Sequence, residues 1–295
     1  MQNVRTDLAV ESRQAYFDEK GREPEGALLT REDRGGFSVS RLDITTRQAA
    51  RALGKPMGTY LTMGLEKLLR RQENAFNNAA VCLAELLGSF ACFPAEGPVL
   101  VVGLGNRAMT PDALGPLAME SVLVTRHLIP ALPEYFGNFR SVAAFATGVL
   151  GTTGMEAQEL VKALKARVKP AAVIAVDALA ARGVDRLCRT IQLSDSGIVP
   201  GSGVGNGRRA LNAGVLGVPV ISVGVPTVVD AATMARDIFP DAAAAPETLE
   251  KAERFFVTPR DIDERVADCA RLIGYGIDLA LHPGLSVSDL DLFVT

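Results

Sequence analysis

Histidine occurs only twice among the 295 residues and cysteine only four times. Two histidines give a serine–histidine triad little to build on, and neither Ser196 nor Ser202 stands in a GxSxG elbow. Cys82, Cys92, Cys188 and Cys269 form no CxxC pair, and three of them lie in apolar surroundings, which predicts buried, reduced thiols. No HxxxH pattern or His/Cys cluster is present, which counts against a metal site. No basic stripe exists either: 31 Lys and Arg stand against 34 Asp and Glu, a net charge of −3. Phosphate backbones need clustered cations, so a nucleic-acid partner is not expected. The apolar stretch 79–93 is broken by Glu85 and is too short to cross a bilayer. The N-terminus carries charges where a signal peptide needs an apolar core. The expectation is a soluble, cytoplasmic chain with no membrane partner.

What is present is globular in composition, 48% hydrophobic and 22% charged, with 28 Gly and 16 Pro. A chain of this length buries most of its apolar surface without disulfides or metal. Five short apolar runs stand out at 98–105, 141–148, 171–178, 189–194 and 219–226, the fourth weaker than the rest. Continuous apolar strands are buried on both faces, as in parallel sheets. Helical spacing lies between them, most clearly at 156–168, where Thr153 and Glu156 form a capping-box pattern and Pro170 supplies the stop. The alternation predicts a three-layer α/β/α sandwich with a mostly parallel sheet. Residues 1–36 read as an extended arm, 37–44 and the stretch near Gly58 as short strands, and 65–87 as one amphipathic helix. A last helix is predicted over 259–282, capped by Thr258 with Pro259 in its first turn. No repeat is visible. The chain reads as one domain, with 8–97 packed on the core as decoration.

In open α/β sheets, ligands bind beyond the carboxyl ends of the strands. Three loops reach that edge: 103–116, 176–182 and 194–209. The first opens with Gly103 and Gly105 but has Ala108 where a dinucleotide fingerprint needs its third glycine, and it is too long for a tight turn. Asp112 within it reads equally as a helix cap or as a carboxylate above the sheet. Asp177 ends a run of five apolar residues, where an acidic side chain has a perturbed pKa or needs partners. Two carboxylates at neighbouring strand ends can divide acid and base work, or bind a divalent metal with His127 as a further ligand. His127 otherwise reads as complementing a helix C-terminus. The glycine-rich third loop, followed by Arg208 and Arg209, fits a phosphate cradle, an approach to bound peptide, or a plain connection.

The stretches VRTDLAVE (4–11), VVGLGNRAMTPDALGP (101–116), VDALAAR (176–182), IQLSDSGIVPGSGVGNGRR (191–209) and PVISVGVPTVVDA (219–231) closely resemble the germination protease family of spore-forming bacteria. TRHL (125–128) and VTPRDID (257–263) follow the same pattern, so the resemblance runs through nearly the whole chain. It implies a cytoplasmic endopeptidase of the spore core that degrades small acid-soluble spore proteins, needs no cofactor, and assembles as a homotetramer. It also implies a fold similar to the hydrogenase maturation peptidases. The family's two essential aspartates fall on Asp112 and Asp177. Gly105, Asn106, Thr110, His127, Asp195, Ser196, Gly201 and Gly203 are supporting candidates from the matching motifs. A self-processing cut would fall between Asp7 and Leu8, making 1–7 a short propeptide. The compact region 227–258 departs from the family's longer insertion. A metal-dependent hydrolase using the same carboxylates and a non-catalytic spore-protein-binding protein are the competing readings.

Overall fold

The computed structural model describes residues 6–202, 208–238, 252 and 255–293. Among these described residues, nine strands form one mixed sheet: β1 (Ala27–Arg34), β2 (Phe37–Ile44), β3 (Gly58–Gly64), β4 (Val99–Gly103), β5 (Val142–Ala146), β6 (Ala172–Ala181), β7 (Thr190–Ser194), β8 (Val220–Asp230) and β9 (Phe256–Val257). Their order is β1-β2-β3-β7-β8-β6-β4-β5, with β9 on β8. Parallel pairing is confined to β5-β4-β6-β8, where the clearest apolar runs lie. The strands of the N-terminal region enter the same sheet antiparallel, through β3 and β7. The sheet is therefore less parallel than the sequence predicts, because β7 turns back between two strands that run alike.

Alternation along the parallel strands builds two cores. Val99, Val101, Ile174, Val176, Ile221 and Val223 face one side. There they meet the helices α3 (Ala75–Gly88), α4 (Leu114–Glu120) and α7 (Ile262–Leu281). Leu100, Val102, Val173, Ala175 and Val220 face the other, against α5 (Ala157–Val168). Helices on both faces make the predicted three layers. Cys82, Cys188 and Cys269 are buried and unbridged, as their surroundings imply, while Cys92 is exposed.

Several boundaries move. The N-terminal arm is not extended: it contains α1 (Ala9–Lys20) and β1. The stretch 65–87 is two helices, a turn at Glu66–Leu69 and then α3, because Arg71 and Asn74 adopt left-handed φ of 48° and 57°. The cap of α5 is Glu156 rather than Thr153, and the Glu159 carboxylate accepts from the Glu156 N–H at 3.4 Å. The last long helix starts at Ile262 with Asp261 as its N-cap. Thr258 instead donates to the Thr227 carbonyl at 2.9 Å. Two further helices, α2 (Arg47–Leu53) and α6 (Ala231–Ile238), precede it, and α8 (Val287–Phe293) follows.

Candidate active site

Strand lengths set the site. β4 ends at Gly103, paired to Val176 of β6, whereas β6 continues beside β8 for five more residues, 177–181. Asp177 does not end its strand, as the sequence suggested. It is the first residue of β6 that has lost its neighbour on β4, and so it borders the cleft. Its side chain is only 4% exposed, and one oxygen accepts from the Ala178 N–H at 2.9 Å.

The loop after β4 brings Asp112 to the same place. Gly105 has φ of +110°, a backbone that favours glycine, and a Cβ there would lie 2.1 Å from the Asp112 carbonyl. The Asn106 N–H is shared between that carbonyl at 3.0 Å and the Asp112 carboxylate at 2.9 Å. Thr110–Asp112 forms a single 3₁₀ turn before α4, and Thr227 ties it to β8 by donating to the Pro111 carbonyl at 2.6 Å. Gly115 in the first turn of α4 allows contact with the chain leaving β4 and with the middle of β6: a Cβ would meet the Leu104 carbonyl at 2.2 Å and that of Val176 at 2.6 Å. Asp112 is thus neither a cap of α4 nor free in solvent. The second of the two readings, a carboxylate above the sheet, is the one the fold adopts.

A third acid completes the group. Asp7 lies across the free edge of β6, donating its N–H to the Ala180 carbonyl at 2.8 Å and accepting the Ala180 N–H on its carboxylate at 2.9 Å. Ser202 donates to the other carboxylate oxygen at 2.6 Å. Asp7, Asp112 and Asp177 line one cavity of about 640 Å³, with Gly105, Asn106, Gly201 and Arg208 in its wall. Burial pushes the Asp177 carboxyl well above the usual carboxylate range, and the charges of Asp112 and Asp7 push it further. Burial also raises Asp112, against the pull of the Asn106 N–H. Two carboxyls lining one cavity, each raised by burial, titrate as a coupled pair, and sharing one proton is the condition for one to act as acid and the other as base.

The other candidates divide. Leu8 is fully buried beside the cleft, among Leu179, Ala181, Leu187 and Val229. Ser196 lines a neighbouring cavity of about 520 Å³ that shares Asp7 and Leu179 with the first. Asp195 accepts from the Thr59 N–H at 2.8 Å and serves the junction with β3. Thr110 shapes the 3₁₀ turn without lining the cavity. His127 is exposed before the single turn Leu128–Ala131, away from the end of α4 and outside the cavity wall. Among the described residues, no group of three or more His, Cys, Asp or Glu is arranged to hold a metal ion. Gly203 lies outside the described residues.

Two polar residues that sequence reasoning missed also reach this region. Gln192 and Lys55 line the second cavity, and both touch the chain around Asp7. The signal for Gln192 was there: Thr190, Gln192 and Ser194 alternate with Ile191 and Leu193, which marks one polar face of β7.

The comparisons agree with this architecture in extent. Residues 4–240 match the family model described as germination protease. A germination protease of Caldanaerobacter subterraneus is 41% identical, over 98% of this chain and 97% of its own. One from Clostridium perfringens is 38% identical over the whole of both chains. One from Bacillus subtilis is 44% identical over 79% of this chain and 65% of its own. Among solved structures, the [NiFe] hydrogenase maturation protease HycI of Thermococcus kodakarensis aligns with 63% of this chain and 96% of its own. That alignment has a TM-score of 0.35 and 16% identity, too low to equate the two folds. The match over most of the chain, with relatives identical at more than a third of positions end to end, places this protein in the germination protease family.

Proposed function

We propose that this protease is an endopeptidase working through Asp112 and Asp177, and that its substrates are small acid-soluble spore proteins. The carrying observation is the pairing of two carboxyls in one cavity, both raised by burial, with Asp177 raised further by the charge of Asp112. In the proposed reaction, the ionised carboxylate takes a proton from water as its oxygen bonds to the scissile carbonyl carbon. The protonated carboxyl then gives its proton to the leaving nitrogen as the C–N bond breaks. The pair ends the turnover with the same total charge and its one proton on the other carboxyl, and passing that proton between the two carboxyls restores the starting state. The protein would be made as a self-processing precursor cut between Asp7 and Leu8, act in the spore core, and assemble as a homotetramer. Support for the processing site is the position of Asp7 in the wall of the same cavity.

The test is a digest of small acid-soluble spore protein by the purified chain, followed by mass spectrometry. Discrete fragments are expected. Asp112→Asn and Asp177→Asn should each fold and lose at least about 10²-fold in rate, the lower end for loss of a general acid or base. Near-normal turnover by either variant would remove that residue from the mechanism.

A further inference from the structure

The chain around Asp7 is held by more than its own carboxylate. Leu8 and Ala9 are both fully buried. Gln192 straddles the peptide bond between Asp7 and Leu8: its Nε2 donates to the Asp7 carbonyl at 3.1 Å, and its Oε1 accepts from the Ala9 N–H at 2.7 Å. The amide orientation follows from its partners, since a flipped group would set NH₂ against N–H and oxygen against oxygen. One residue upstream, Lys55 Nζ donates to the Thr6 carbonyl at 2.8 Å. Glu11 completes the anchoring by accepting from the backbone N–H groups of Arg182 at 2.7 Å and Gly183 at 3.0 Å.

We propose that Gln192 is a catalytic residue of self-cleavage, the donor that stabilises the oxyanion formed on the Asp7 carbonyl, with Lys55 positioning the preceding carbonyl. The inference rests on the self-processing reading above. When water adds to the Asp7 carbonyl carbon, the C=O electron pair moves to an oxygen already held by Gln192 Nε2. The water proton passes to the ionised carboxylate of the pair. On collapse the Asp7–Leu8 C–N bond breaks, and the protonated carboxyl supplies the proton taken by the Leu8 nitrogen. The products are a segment ending in Asp7 and a chain beginning with a free amine at Leu8. Gln192 is 7% exposed, so its dipole acts with little competition from water and strengthens as charge builds on the oxygen. It needs no reorganisation to do so, because the bond exists before reaction.

The experiment follows loss of residues 1–7 from the purified full chain by intact mass, alongside melting and amide exchange. Gln192→Met should slow the cut by about 10²–10³-fold, the usual loss for one oxyanion donor. Gln192→Glu, read at a pH where infrared carboxylate bands show the buried side chain ionised, keeps the acceptor for Ala9 and so the anchoring of α1, but offers neither N–H nor O–H. It should retain wild-type exchange protection at Ala9 and still cut as slowly as the Met variant. Lys55→Met should give a smaller fall. Cleavage by Gln192→Glu at the wild-type rate would overturn the oxyanion role while leaving self-processing intact. Slow cleavage accompanied by lost protection in α1 would overturn it too, by reducing Gln192 to a support. No cut between Asp7 and Leu8 in the wild-type chain would remove the processing reading and this role together. If the Met variant does not fold, the Glu variant alone decides.

Discussion

A carboxyl group in surroundings as poor in water as those of Asp177, beside two other acids, lowers its free energy by keeping its proton. Folding must tolerate this. The native state binds a proton that the unfolded chain releases near pH 4, so stability is full below that pH and declines as pH rises toward the higher native value. Asp177→Asn has no such proton to lose. Its melting temperature should exceed that of the wild type by a margin that widens from pH 4 to pH 7; a constant margin would mean the carboxyl is not shifted. His282 acts in the opposite direction. Burial, and then the charge of Arg140, lower it from 6.5 to about 4, beside the Phe139 ring at 5.1 Å. The neutral ring favours the fold above pH 6.5, and that stability is lost as pH falls toward 4. His282→Phe should flatten the decline in melting temperature between pH 6.5 and pH 4. At this scale Asp177 was legible, because an acid after an apolar run is conspicuous. Asp112 was not, because whether it caps a helix depends on a 3₁₀ turn that Thr227 holds from a distant strand. Asp7 was legible only through the family motif, since nothing local says where the arm docks.

The elements that shape the site depend on close backbone approach. Gly115 lets α4 rest on the end of β4 and on β6 at Val176, and no side chain fits between them. Gly115→Ala should cost ~1–3 kcal/mol by overpacking and tilt α4 away from the strands. Protease activity should fall more steeply than melting temperature, because the loop carrying Asp112 leads directly into that helix. Equal losses in a parallel series of melts and digests would count against this. The parallel strands were readable within one or two residues at most ends, since apolar runs between glycines and prolines have few other uses. The exceptions are β6 and β8, which run three and four residues past their predicted ends, because an Asp and a Pro in mid-strand each look like a stop. The break before α3 was invisible as well. Apolar residues kept helical spacing across it, and only the left-handed Arg71 and Asn74 reveal that the chain turns.

For the molecule as a whole, the layers were legible in the sequence but the closure of the sheet was not. The runs predicted a parallel core with decoration. The decoration proves to be continuous with that core, joined by antiparallel pairing of β3 with β7 and β7 with β8. Single-strand patterns do not encode which strand lies beside which, so this joint could not be read. Its effect is to place Gln192 of β7 and Lys55, just before β3, near a cleft otherwise built from β4, β6 and β8. If the chain processes itself as proposed, both halves have to be in place for the cut, and chemical denaturation should abolish it in one transition with the loss of sheet signal. A cut that survives partial unfolding of the N-terminal strands would contradict this.

The five residues by which β6 outruns β4 form a ledge with backbone hydrogen bonds to offer, and Ala180 already gives both of its own to Asp7. The carboxylates of Asp7 and Asp177 take the Ala180 and Ala178 N–H groups, and the groups that remain suit chain that presents free N–H and C=O groups along its flank. A helix spends those groups internally, and a folded sheet keeps them paired. The ledge thus favours extended polypeptide, of the kind the segment around Asp7 already supplies, over chain whose backbone groups are paired within its own helices.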